Sequence, residues 1–121
     1  MLIRALTQDD PRQAAIAHAQ LSRDFVLLTG VLLETEWVLR SYYRWPRERI
    51  AMALTEIADL PAMRAAPAGL DWAIARYAVG ADFADMLHVA ATPPAERFAT
   101  FDRRIAGHAG TDAAVPIETL A

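Results

Sequence analysis

Cysteine is absent from this 121-residue sequence, which excludes a disulfide framework, thiol catalysis and any cysteine–zinc centre. Lysine and asparagine are absent too, so all twelve basic residues are arginine. Arginine favours phosphate through its planar fork, but an Ala-rich, Arg-only composition reads first as GC-rich coding. Long apolar runs are also missing. Stretches such as 25–29 and 31–33 are far too short to span a bilayer. Near the start, Arg4 and Gln8-Asp9-Asp10 interrupt any signal-peptide pattern. No HExxH or His-x-His pair occurs, nor a Gly-rich phosphate loop or a GxSxG elbow. The formal charge of −3 argues against binding nucleic acid by bulk charge alone. What is present is a chain 55% hydrophobic and 22% charged, which excludes intrinsic disorder. The length suits one domain, so residues 1–121 are expected to form a single cytoplasmic domain with no membrane segment.

Periodicity and punctuation supply the elements. Asp9-Asp10-Pro11 opens a helix that runs to about Ser22. Residues 25–28 are a short apolar run expected as a buried strand. A helix follows over about 30–43, and Pro46 starts another that ends before Pro61. Residues 62–66 are expected as a short strand, 68–79 as a helix stopped by Gly80, and 82–91 as a helix stopped by Pro93-Pro94. A strand over 97–100, a short helix over 103–106 and a strand over 115–117 complete the chain. Strands alternating with helices predict an α/β fold with a mainly parallel sheet.

In such sheets, ligands bind beyond the carboxyl ends of the strands. Asp102 follows the 97–100 strand directly, as either a helix cap or a ligand. Glu34 and Glu36 lie two apart in an apolar helix, so they point in different directions. One is expected to face solvent and the other to be partly buried; Glu34 shares a face with Trp37 and is placed on the core side. Asp82 and Asp85 stand i, i+3 at a helix start, where Asp82 suits a cap and Asp85 is less easily explained. The three histidines fit no metal spacing with one another. Acidic segments on separate elements, without His or Cys, suit a hard cation such as Mg²⁺ or Mn²⁺.

Four motifs in order resemble the PIN-domain ribonucleases, more narrowly the VapC-type toxins of toxin–antitoxin pairs. They are Leu6-Thr7-x-x-Asp10-Pro11-x-Gln13-Ala14, Leu33-Glu34-x-x-Trp37-Val38-Leu39-Arg40-Ser41, Gly80-Ala81-Asp82-Phe83-Ala84-Asp85-x-Leu87-His88 and Ala99-Thr100-Phe101-Asp102-Arg103. The resemblance implies a PIN-like three-layer fold, a sheet flanked by helices, and a metal-dependent endoribonuclease that hydrolyses RNA phosphodiester bonds. By motif, Glu34, Asp85 and Asp102 match the catalytic acids, and Asp82 an accessory acid, around Mg²⁺ or Mn²⁺. Thr100 matches a position near the metal. Position and charge nominate Arg103 and Arg104 for RNA phosphate. RNA, a cognate antitoxin and a second copy in a homodimer are the partners implied. The match begins after the family's opening central strand and its Asp-Thr-Asn run. Either Met1 is an internal methionine of a longer protein, which is the expectation, or the gene is truncated. The alternative function is then a non-catalytic remnant that binds antitoxin or dimerises, with Tyr42, Tyr43 and Trp45 as aromatic surface for a partner helix or simply as packing.

Overall fold

The computed structural model describes residues 1–120. It is an α/β structure in which, among the described residues, seven helices and four short strands fall into two compact units, Met1–Ala66 and Pro67–Ala121.

In the first unit, α1 (Leu2–Thr7) packs on α2 (Pro11–Leu21), followed by β1 (Phe25–Val26), α3 (Thr29–Ser41), α4 (Arg47–Ala58) and β2 (Met63–Ala65). Asp10 and Pro11 open α2 as their chemistry dictates. The Asp10 carboxylate accepts from the Gln13 N–H at 3.0 Å, and Pro11 sits where no intrahelical N–H is needed. Pro46 likewise precedes the first turn of α4. Leu2, Ala5, Ala17, Leu32, Leu39, Ile50 and Leu54 are buried and form the apolar interior. Strands β1 and β2 pair in parallel. Here the expected buried strand is corrected: Val26 and Leu28 are 56% and 60% exposed, while Leu27 between them is buried. Successive side chains point to opposite faces, and only the Leu27 face is covered.

In the second unit, α5 (Leu70–Ala78) packs on α6 (Phe83–Ala90), and β3 (Phe98–Thr100) pairs in parallel with β4 (Ile117–Thr119), with α7 (Arg104–Ala109) between them in sequence. The expected sheet is thus present as two separate parallel pairs. Strand β4 lies two residues later than expected. Pro116 has no N–H to give a ladder, and its carbonyl instead accepts from the Phe98 N–H at 2.9 Å. Tyr77 and Phe83 are buried with ring centroids 5.5 Å apart. Gly69, before α5, holds φ +66°, and a Cβ built there would lie 2.8 Å from the Ala90 Cβ.

A polar knot ties the α1–α2 turn to the residues after α3. Asp9 accepts from the Tyr43 hydroxyl at 2.6 Å, from Arg4 at 2.8 Å and from the Thr7 hydroxyl at 3.0 Å. Those donors, Tyr43 first, hold its carboxyl at about 2, below the ordinary 3.8. Because the folded value is depressed, this contribution is complete above about pH 4 and is lost as pH falls through about 2. Thermal melts of Asp9→Asn against wild type should therefore differ most at neutral pH and converge near pH 2. A constant difference across that range would contradict the assignment.

Candidate functional site

The second unit gathers three of the four sequence-nominated acids. Asp82 caps α6, its carboxylate accepting from the Asp85 N–H at 2.9 Å. That bond places Asp85 in the first turn, with Phe83, Met86 and Leu87 buried around it. Asp85 is half-buried, and its carboxyl is pushed above the usual carboxylate range. Burial is the main cause, followed by the negative charges of Asp82 and then Asp102; His88 and Arg104 act in the opposite sense. Asp102, just beyond β3, therefore lies close enough to be felt by Asp85.

Asp102 itself has the opposite character. Its two oxygens receive Arg104 as a fork, Nε at 3.1 Å and Nη2 at 3.0 Å, and the Arg104 backbone N–H adds a bond of 2.9 Å. Arg104 holds the Asp102 carboxyl below its ordinary value. The Thr100 hydroxyl accepts from the Asp102 N–H at 3.0 Å and fixes the turn after the strand. Arg104 is raised by Asp102 first, and further by the charges of Asp85 and Asp82. A local field of three carboxylates and one guanidinium thus lies at the start of α6 and α7. Arg103, nominated with Arg104 for phosphate, is exposed.

Glu34 belongs to the first unit, on α3, and does not face the core as expected. Glu34 is exposed, whereas Glu36 is the buried carboxylate of the pair, accepting from Arg40 Nε at 3.1 and 2.9 Å. Trp37, used as the core marker, is 57% exposed, so the helix is rotated relative to the expectation. The residue that sequence reasoning passed over is Arg104 as partner of Asp102. Its signal was the i, i+2 spacing across a helix start, which lets one carboxylate meet both backbone and side chain.

No protein-family model, curated protein or solved structure matches this chain. The donor set is all oxygen, the kind a hard cation takes. In position it falls short: among the described residues no three Asp, Glu or His side chains are gathered closely enough to hold a metal ion. Asp102 gives both oxygens to Arg104. As they stand, Asp82, Asp85 and Asp102 form no complete ligand set for a divalent cation.

Proposed function

We propose that this chain is a PIN-type, metal-dependent endoribonuclease, the cytoplasmic toxin of a toxin–antitoxin pair, acting on RNA with Mg²⁺ or Mn²⁺. The four ordered motifs support the family reading, and the parallel strand pairs among helices are compatible with a three-layer PIN-like fold. One observation carries the reading furthest. Asp85 is a partly desolvated carboxylate under the negative field of Asp82 and Asp102, a local excess of charge that a cation would relieve. In this reading Asp82 fixes the start of α6 and so the direction of Asp85, Arg104 holds Asp102 in place, and exposed Arg103 meets RNA phosphate.

The test is cleavage of a labelled single-stranded RNA with Mn²⁺, with Mg²⁺ and with EDTA. Cation-dependent cleavage that EDTA abolishes is the expected result. Absence of cleavage with either cation would overturn it. It would favour a second reading, a non-catalytic module for an antitoxin or a second copy, to which the exposed Val26 and Leu28 at β1 offer apolar surface.

A further inference from the structure

Four of the twelve arginines, Arg40, Arg44, Arg47 and Arg49, fall within residues 40–49, accompanied by one acid, Glu48, and by Tyr42, Tyr43 and Trp45. In a chain of net charge −3 this is a concentrated basic and aromatic segment, and it covers the end of α3, the turn after it and the first residues of α4. Buried Glu36 answers the charge of Arg40. Arg44 and Arg49 are exposed.

The turn is held in shape. Tyr43 is pinned through its hydroxyl to Asp9, and the Tyr42 ring meets the Tyr43 ring edge-on, with centroids 5.1 Å apart. Tyr42 is nevertheless 77% exposed, the most open aromatic ring of this segment. The Arg49 guanidinium lies 3.6 Å from the centre of the Trp45 ring. Arg44 adopts φ +55°, a left-handed backbone that Gly or Asn would take with less strain. The left-handed residue closes α3, since the Trp45 N–H just beyond it donates to the Leu39 carbonyl at 3.0 Å, and it leaves the Arg44 side chain exposed.

We propose that the α3–α4 turn is a docking platform for single-stranded RNA. The exposed Tyr42 face stacks a base, while Arg44 and Arg49 meet flanking phosphates. Supported aromatic rings interleaved with cations are what sequence-tolerant single-strand binding requires, since every base has a π-face and every linkage a charge. The choice of RNA rests on the ribonuclease reading; the platform needs no cleavage.

The test is fluorescence anisotropy of a labelled twelve-residue oligouridylate with the full chain, in EDTA so that cleavage plays no part. Tyr42→Ala should weaken binding about tenfold and Tyr42→Phe should leave it nearly unchanged, because the ring does the stacking. Arg44→Gln and Arg49→Gln should each lower the slope of log affinity against log salt by about 0.7. Thermal melting should be unaltered by Tyr42→Ala, given the exposure of that ring. Wild-type affinity in Tyr42→Ala, or unchanged salt slopes, would overturn the platform. So would unaltered RNA affinity together with a shift in self-association by sedimentation, which would make the turn a protein interface. Failure of cleavage with binding intact would overturn the ribonuclease reading alone.

Discussion

Asp85→Asn should abolish metal-dependent RNA cleavage while making the protein more stable at neutral pH. The loss of activity should be at least about 100-fold, because even indirect partners of a metal site are worth about 10–100-fold. The stability gain has a separate origin. The folded-state carboxyl of Asp85 lies above its ordinary 3.8, so the folded chain holds this proton more tightly than the unfolded chain does. Stability is therefore lost as pH rises from about 4 through the folded value, and the penalty persists above it. Asparagine has no proton to lose. Melting curves of variant and wild type should nearly coincide below pH 4 and separate, with the variant higher, as pH rises. A variant less stable at pH 7 would show that the Asp85 charge is compensated, and the argument for cation affinity would fall with it.

The second large effect concerns the support beneath that carboxylate. Phe83 is 1% exposed, packs on Tyr77 and follows the Asp82 cap directly. Phe83→Ala should cost about 3–5 kcal/mol, from lost burial and the cavity left behind. That is a large share of the total stability of an ordinary domain, about 5–15 kcal/mol. The denaturant midpoint should fall sharply, and amide exchange should accelerate in α5 and α6 together, since these helices pack on each other. A change below about 1 kcal/mol would mean that the ring is not a core element.

The helices were legible where the chain carries its own punctuation. Asp10-Pro11, Pro46 and Asp82 each mark a start that the backbone then uses. Helix α1 carried no such mark: Met1 stands at its cap without a side-chain bond, and six residues show too little periodicity. The shift of β4 follows from Pro116, whose missing N–H was visible in the sequence but whose carbonyl partner was not. Glu34 and Glu36 were exchanged because the phase of α3 is set by what packs on it, α1 and α4, and not by its own composition. A tryptophan is a poor guide to that phase, since its ring tolerates a surface position. For the acid set, positions after strands and at helix starts were legible. The fork between Asp102 and Arg104 was not, because it depends on the short turn that joins β3 to α7.

The close approach at Gly69 reaches beyond folding into how this sequence can drift. Any side chain there meets both a left-handed backbone and the Ala90 methyl at 2.8 Å, and the far wall is a compact Cβ with no rotamer to move. Enlarging Ala90 would close the same gap from the other side. Two positions twenty-one residues apart thus constrain one another sterically. Related sequences should keep glycine at the first position and a small residue at the second, whatever activity they have. That pair makes a signature for finding distant relatives which owes nothing to activity.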